Sequence, residues 1–274
     1  MRILRHRLHA KEGEPASFIR SPNTGGQLDP KYLVIHFTAG RSAEGSVNWL
    51  TNPDARASAH LVIGRDGAVT QLVPFDRVAW HAGPSQWDGL VGMNQHSIGI
   101  ELDNAGRLER KGGKWAAWFG TTYPDEELMV AAHKHETHEC GWHLFPPAQL
   151  DATLEVCASL VKKYELRDVV GHDDISPGRK CDPGPAFPLE SFRSRLFGRS
   201  EDHLPQFRTR TALNIRLGPG TEHDRLPQSP LSPGTRLEVL DEDGAWRFAT
   251  VLDSDEEGAE VQGWVHSKFV ERIG

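Results

Sequence analysis

Hydrophobic residues in the first part of the chain are grouped into short continuous runs. Residues 31–37 (KYLVIHF) form one such run, which predicts a strand buried on both faces. Residues 60–63 and 68–73 flank an Asp-Gly turn and predict a β-hairpin. Residues 97–102 (SIGIEL) predict another strand, in which Gly99 permits the close approach of a neighbouring group to the backbone.

Two later segments have the pattern of helices. Residues 125–140 begin with acidic side chains, which suit the positive end of a helix dipole, and they predict one helix. Residues 148–164 predict a second helix, because their apolar positions recur at helical spacing. That apolar stripe consists of Leu150, Leu154, Cys157, Val161 and Tyr164. Strands that alternate with helices are typical of an α/β fold, and we expect a central mixed β-sheet flanked by helices.

The pattern changes near residue 200 from mixed to all-β. From there on, short strand-like runs are separated by turn clusters, as in residues 217–220 (LGPG) and 232–234 (SPG), and no helical period is present. A segment of this length suffices for a small barrel. We therefore divide the chain into an N-terminal extension (1–29), an α/β domain (30–198), a linker (199–206) and a small β-barrel domain (207–274).

Composition and charge narrow the class of protein. The 274 residues are 38% hydrophobic and 25% charged, which is typical of globular domains, and no apolar run approaches the ~20 residues of a membrane helix. A net charge of −7 makes binding of nucleic acid through a general basic field unexpected. Residues 1–7 are basic without a following apolar stretch, so we expect no Sec signal peptide. The location would then be cytoplasmic, or reached by a non-Sec route or by lysis.

The 14 histidines raise the question of a metal site. His36 stands at the end of the first core strand, and His172 follows another strand-like run, 169–171. Asp182 comes ten residues later in a rigid Pro/Gly turn. Two imidazoles and one carboxylate suit Zn²⁺ with a fourth position open for water. Spacing alone leaves a chance arrangement open.

Five motifs, in order along the chain, give a specific resemblance. They are residues 59–67 (AHLVIGRDG), 73–76 (VPFD), 79–83 (AWHAG), 97–102 (SIGIEL) and 171–185 (GHDDISPGRKCDPGP). Together they resemble the type 2 N-acetylmuramoyl-L-alanine amidases of the peptidoglycan-recognition-protein superfamily, over about residues 30–198. Within that family, the likeness is greatest to amidases that act on anhydro-muropeptides and to the related lipoprotein amidases.

The resemblance implies a role for five residues. His36, His172 and Asp182 match the zinc ligands of the family, Glu101 matches its catalytic glutamate, and Lys180 matches its catalytic lysine. These residue types fit the chemistry, since a glutamate can transfer a proton and a lysine can stabilise an oxyanion beside a metal-activated water. The bond cut would be the amide between N-acetylmuramic acid and L-alanine.

Neighbouring residues leave alternatives open. Some relatives use cysteine as the third ligand, but the match through residues 183–185 places Asp182 there and makes Cys181 a bystander. Trp80, His81 and Trp87 are tentative substrate contacts, and packing roles remain the alternative.

Two segments before the second predicted helix lie outside these motifs. Residues 104–123 are interpreted as a loop at the edge of the cleft, where such an enzyme would adjust its specificity. Residues 133–139 (HKHETHE) lack the H-E-x-x-H spacing of zinc proteases, and we interpret them as a partly exposed polar face of the predicted helix.

The C-terminal segment carries a second resemblance. Residues 212–220 (ALNIRLGPG) resemble the opening motif of bacterial SH3-like domains, and 245–248 and 263–266 fit later strands of that pattern. Such modules often bind cell-wall peptide or glycan, and a purely structural accessory is the alternative.

The sequence thus predicts a zinc-dependent amidase with peptidoglycan or a muropeptide as its partner, no nucleic acid and no membrane span. The alternative is a non-catalytic peptidoglycan receptor, and receptors of this superfamily typically lack a zinc ligand that this chain retains. Polymeric wall and anhydro-muropeptide remain open as substrates, as do the oligomeric state, the role of residues 104–123, and the choice among a recycling enzyme, a phage lysin and a secreted effector.

Overall fold

A computed structural model describes residues 1–10, 13–197, 206–253 and 261–273, without the side chains of 240–242. The chain divides into two compact units, Met1–Gly198 and Arg199–Gly274. The linker expected at 199–206 lies outside the described residues, except for Gln206, which begins the first strand of the second unit.

The first unit contains four helices and seventeen strands among its described residues. The helices are α1 (Ala43–Leu50), α2 (Pro147–Tyr164), α3 (His172–Ile175) and α4 (Leu189–Phe197). The strands are β1 (Arg2–Leu4), β2 (Arg7–His9), β3 (Ser17–Phe18), β4 (Thr24–Gln27), β5 (Tyr32–Phe37), β6 (Leu61–Ile63), β7 (Val69–Gln71), β8 (Arg77–Ala79), β9 (Gln86–Trp87), β10 (Leu90–Val91), β11 (Ser97–Leu102), β12 (Arg107–Lys111), β13 (Lys114–Ala116), β14 (Thr122–Tyr123), β15 (Leu128–Ala132), β16 (Glu139–His143) and β17 (Asp168–Gly171).

A six-stranded mixed sheet forms the centre of this unit, in the order β17-β5-β11-β6-β7-β3. The four strands β17, β5, β11 and β6 run parallel, and β7 returns antiparallel to β6 as the predicted hairpin. Residues 32–36 of β5 are all buried, as expected for a parallel strand covered on both faces. The predictions of these strands, and of a mixed α/β fold, are confirmed.

Helix α2 covers one face of the central sheet, where Val156, Cys157 and Leu160 are buried in the main core. The helix predicted over 148–164 is therefore confirmed. The N-terminal residues join the same core, since Leu8 and Leu28 are buried there. The segment that we expected to be an extension is thus packed into the first unit.

The segment between β11 and α2 differs from its prediction. The helix expected over 125–140 is wrong: a short 3₁₀ turn over Asp125–Glu127 leads into β15, which pairs antiparallel with β16. The loop expected over 104–123 is also wrong, because β12, β13 and β14 lie there. All five strands form one antiparallel sheet in the order β14-β13-β12-β16-β15, which we call the insert sheet.

Local packing explains why this segment forms strands. Several residues of 125–140 are poor helix formers, including three histidines. In β16, Gly141 leaves room for the ring of Trp115, because a Cβ there would lie 2.9 Å from the indole. Trp115 of β13 is buried together with Leu108 and Leu128, so the insert sheet has a small core of its own.

The second unit is all-β in its described residues, apart from one 3₁₀ turn. Its strands are β18 (Gln206–Thr209), β19 (Arg236–Asp243), β20 (Trp246–Val251), β21 (Gln262–His266) and β22 (Val270–Arg272). They form an antiparallel sheet in the order β21-β20-β19-β18-β22, around a core that includes Ile215, Leu237 and Val265. Among the described parts of the chain, no helix has the length and apolar character needed to cross a membrane.

Candidate metal centre

The carboxyl ends of three adjacent parallel strands meet at one edge of the central sheet. Their register places His36 of β5 directly beside Glu101 of β11. Gly171, the last residue of β17, pairs with Ile35, so His172 follows immediately at the same edge. Ligand sites in α/β proteins commonly form at this edge. The three residues are therefore neighbours because of strand pairing, although they are far apart in sequence.

His36, His172 and Asp182 converge on one point. His36 Nδ1 lies 2.9 Å from His172 Nδ1, and Asp182 Oδ2 lies 3.0 Å from each of these nitrogens. All three residues are buried, and within the described residues they form the one group of His, Cys, Asp or Glu side chains close enough to share a metal ion. Zinc bonds of about 2.0–2.1 Å in a tetrahedron put ligand atoms roughly 3.3 Å apart, so small outward shifts would fit the ion.

The outer nitrogens of both imidazoles are already engaged. His172 Nε2 lies 3.0 Å from the Ala82 carbonyl oxygen, which only accepts, and this contact, shorter than the 3.3 Å to Arg179 Nη2, favours a proton on Nε2. In the neutral ring, Nδ1 then presents a lone pair to the centre. His36 Nε2 lies 3.0 Å from His81 Nδ1. The site thus gathers two imidazole nitrogens and a carboxylate oxygen, which is a donor set suited to a divalent cation.

The pKa shifts of His36 and Asp182 favour the protonation states that bind a metal ion. Burial and the adjacent His172 lower the pKa of His36 to about 4, so its ring is neutral at pH 7. Burial alone would raise the pKa of Asp182, but its contacts with the imidazoles of His172 and His36 outweigh burial and keep that pKa below its usual range. A neutral imidazole and an ionised carboxylate are the forms that bind metals.

Glu101 lies beside this group with an unusual carboxyl environment. Its Oε2 is fully buried and has no hydrogen-bond partner in the described part of the chain. Burial raises the pKa of Glu101 to about 8; nearby Asp182 also raises it, and Lys180 lowers it. A carboxyl group with one buried, unpartnered oxygen and a raised pKa is typical of a catalytic acid or base. Lys180 is half-buried on the turn that leads to Asp182.

The insert sheet supports the loop that carries two of the three ligands. His133 Nε2 lies 2.9 Å from Asp173 Oδ2, and Lys134 Nζ donates to Asp173 Oδ1 at 2.9 Å. Asp173 follows His172 directly, and its backbone N–H donates to the Asp182 carbonyl at 2.8 Å. His133 is therefore buried in a hydrogen bond to Asp173, and its interpretation as part of a partly exposed helix face is wrong.

A second contact joins the insert sheet to this loop. Gly184 has φ +70°, and a Cβ there would lie 2.6 Å from the indole of Trp142 in β16. Trp142 is buried directly beneath the turn, and its Nε1 donates to the Ala131 carbonyl at 3.0 Å. Sequence reasoning missed these supporting residues. Asp173 and Asp174, which follow His172, could have indicated them, because two adjacent carboxylates require basic partners.

The three tentative substrate contacts lie in different places. Trp80 is 38% exposed, whereas the His81 ring lies against His36 within the site. Trp87 is partly buried and lines a cavity with Tyr32 and Asp168, which begin β5 and β17. Trp87 is thus at the edge of the sheet opposite the metal group. Cys181 is half-buried beside Asp182 and is not one of the three converging residues.

Comparisons with known proteins match the chain to one family of amidases. A family model described as N-acetylmuramoyl-L-alanine amidase matches residues 26–185. The chain is 31% identical over 219 residues to N-acetylmuramoyl-L-alanine amidase AmiD of Escherichia coli K12, an alignment that covers 77% of this chain and 64% of AmiD. It is 36% identical over 140 residues to 1,6-anhydro-N-acetylmuramyl-L-alanine amidase AmpD of the same strain, which covers 50% of this chain and 57% of AmpD.

A solved structure supports the fold. A crystal structure of a selenomethionine derivative of AmpD superposes with a TM-score of 0.50 at 27% identity, over 72% of this chain and 99% of the other. In the two sequence comparisons, this chain spans less than two thirds of each relative's length, 64% of AmiD and 57% of AmpD.

Proposed function

This chain belongs to the N-acetylmuramoyl-L-alanine amidase family, and from that premise we propose that it is a zinc-dependent hydrolase. It would cleave the amide bond between N-acetylmuramic acid and L-alanine in peptidoglycan or muropeptides. The observation that carries the proposal is the convergence of His36 Nδ1, His172 Nδ1 and Asp182 Oδ2 beside the carboxyl group of Glu101.

His36, His172 and Asp182 would hold the zinc ion. When bound, zinc supplies a Lewis acid that lowers the pKa of water and polarises a carbonyl oxygen. The outer nitrogens of both imidazoles are engaged, so their inner nitrogens face the point where the ion would lie. The carboxylate of Asp182 adds the one negative charge of the ligand set.

Glu101 would move the protons of the reaction. Its carboxylate takes a proton from the attacking water and gives one to the nitrogen of the departing L-alanine. A raised pKa suits both steps, because it makes the carboxylate a stronger base than an ordinary glutamate and brings its acid form within reach near neutral pH. Its burial also leaves Oε2 without a competing hydrogen-bond partner in the described residues.

Lys180 would stabilise the negative charge that develops on the amide oxygen. Its positive charge lowers the pKa of both Glu101 and His36, which indicates that the ammonium group acts on this site. A fixed cation near a developing oxyanion stabilises the transition state more than the ground state. Lys180 would therefore assist the addition of water to the carbonyl carbon.

The second unit supports a wall-bound substrate. We assign it to the SH3-like class on its five-stranded antiparallel sheet and on the motif at 212–220. In that role it would bind peptidoglycan and hold the enzyme on the polymer. AmpD carries the name of an anhydro-muropeptide amidase, so the soluble muropeptide is the substrate to compare.

Two measurements on the full chain test the proposal. Zinc content is determined on the purified protein, and the release of peptides that begin with L-alanine is measured from purified sacculi and from 1,6-anhydro-muropeptides. We expect one zinc per chain and hydrolysis, with sacculi preferred. Glu101→Gln protein should bind sacculi without cleaving them. Zinc-loaded protein that binds either substrate but hydrolyses neither would indicate a receptor and overturn the proposal.

A further inference from the structure

The side chain of His81 connects a metal ligand to the central sheet. His81 Nδ1 lies 3.0 Å from His36 Nε2, on the side of His36 that faces away from the metal group. At the other side of its ring, His81 Nε2 lies 3.4 Å from the carbonyl oxygen of Ser97, the first residue of β11. The three residues form a hydrogen-bonded line from the backbone of β11 to the site.

The direction of these hydrogen bonds follows from the chemistry of their ends. A carbonyl oxygen only accepts, so His81 Nε2 carries the proton and His81 Nδ1 is left as an acceptor. His36 must then donate from Nε2, which leaves its Nδ1 lone pair pointing at His172 and Asp182. One tautomer of each ring satisfies the whole line, and in that tautomer His36 is ready to coordinate.

Gly99 makes the position of the His81 ring possible. Gly99 lies two residues before Glu101 in β11, on the same face of the strand. A Cβ on Gly99 would lie 2.3 Å from Cγ of His81, so no other residue type can stand there with the ring in place. The close approach expected at this glycine is therefore to an imidazole.

The same short segment also orients the second histidine ligand. Asn94 Oδ1 accepts hydrogen bonds from the backbone N–H groups of His81, at 3.0 Å, and Ala82, at 2.7 Å. The Ala82 carbonyl oxygen is the group that His172 Nε2 contacts. Residues 81 and 82 thus engage the outer nitrogens of both ligand histidines, one through a side chain and one through the backbone.

We propose that His81 is a positioning residue for the metal: it fixes the tautomer and ring orientation of His36, in the space that Gly99 provides. The inference rests on the proposed zinc site. Partners of this kind typically change metal affinity by roughly 10–100-fold, because an unsupported imidazole must be oriented at the moment of binding.

Zinc affinity, measured by competition with a chromophoric chelator, tests this role. His81→Leu removes the acceptor and should weaken zinc binding by roughly 10–100-fold. His81→Asn should recover most of that affinity, because an asparagine amide oxygen can accept from His36 Nε2 in place of Nδ1. Gly99→Ala displaces the ring without removing a polar group and should resemble His81→Leu. Hydrolysis lost in these variants should return with excess zinc.

The controls separate this inference from the proposed function. His143→Asn changes another buried histidine, whose Nδ1 accepts from the Ala105 N–H, and should leave zinc affinity unchanged. If the wild type binds no zinc, or Asp182→Ala binds it equally well, the zinc site itself is wrong. If the wild type binds zinc and Asp182→Ala does not, the zinc site is as proposed. If His81→Leu and Gly99→Ala then bind zinc like the wild type, only the role of His81 is overturned. If His81→Leu does not fold, the comparison of His81→Asn with Gly99→Ala replaces it. Equal zinc affinities of these two variants would overturn the role of His81.

Discussion

The central sheet and the insert sheet of the first unit differ in how they contribute to the candidate site. The central sheet carries His36 and Glu101 on adjacent strands and ends beside His172. The insert sheet supplies no ligand among the described residues, but contacts the ligand loop through His133 and Trp142. One sheet presents the reacting groups and the other holds their loop in place, so substitutions in the two sheets should have different consequences.

The largest effect should come from the ligand set itself. Asp182→Ala removes the single carboxylate donor, and we expect zinc affinity to fall by more than about 100-fold, beyond the loss typical of a residue that only supports a ligand. Hydrolysis should fall to background with it. Metal analysis and peptide release from sacculi measure both. Cys181→Ser is the matched neighbour and should retain both; a metal-loaded, active Asp182→Ala protein would refute the assignment.

The next effect should separate metal binding from turnover. Glu101→Gln keeps the shape of the side chain but removes the proton-transferring carboxylate, so kcat should fall by about 10²–10⁴-fold. Zinc content should stay at the wild-type level, because Glu101 is not among the three converging residues. Steady-state kinetics and metal analysis check this. Loss of zinc in this variant would indicate that Glu101 belongs to the ligand set instead.

The insert sheet should affect stability more than chemistry. His133→Leu removes the imidazole from the buried carboxylate of Asp173, and loss of a hydrogen bond to a charged group typically costs about 1.5–3 kcal/mol. Zinc affinity should fall less than in Asp182→Ala, since the ligands themselves remain. Urea unfolding and chelator competition measure the two effects. An unchanged unfolding midpoint would mean that this contact does not brace the loop.

Lys134 offers a matched control on the same turn. Its side chain is 41% exposed, and ion pairs of that kind contribute about 0–1 kcal/mol. Lys134→Ala should therefore change the free energy of unfolding far less than His133→Leu. Equal losses in the two variants would show that charge on the turn matters and burial of the imidazole does not.

The last expected effect is a change in pH dependence. Glu101 has a pKa of about 8 in the metal-free folded protein against an ordinary value of 4.5, so its protonated form favours folding. That stability is fully present below about pH 4.5 and is lost as pH rises through 8. Glu101→Gln should remove this contribution to the dependence of the free energy of unfolding on pH. Unfolding midpoints at pH 5 and 8.5 in the presence of a chelator test it, and parallel slopes for wild type and variant would contradict it.

The two sheets also differ in how far the sequence predicts them. Residues 32–36 are buried on both faces, and such a run is recognisable because it is continuously apolar. In the insert sheet, β15 is only five residues long, and Leu128 is its one buried residue. A run that short does not distinguish a period of two from one of 3.6, and its acidic beginning imitates a helix start.

The candidate site divides in the same way. The ligands and Glu101 are predicted by the resemblance of their motifs to the amidase family. Strand ends bring His36, Glu101 and His172 together, and Asp182 reaches them from a turn. The supporting contacts depend on distances between segments that no local pattern encodes. The contact between Trp142 and Gly184 and the hydrogen bond of His133 with Asp173 are examples. The sequence indicates only that partners are needed, through the paired carboxylates after His172.

The wide separation of the ligands along the chain also has a consequence for biosynthesis. His36 and Asp182 are 146 positions apart, and the donor set is incomplete until Asp182 has left the ribosome. Chains are made at about 5–20 residues per second, so roughly 7–30 seconds pass between synthesis of the first and the last ligand. Under the proposed function, metal capture would therefore follow synthesis of nearly the whole first unit, and a chain that ends before residue 182 would lack a complete donor set.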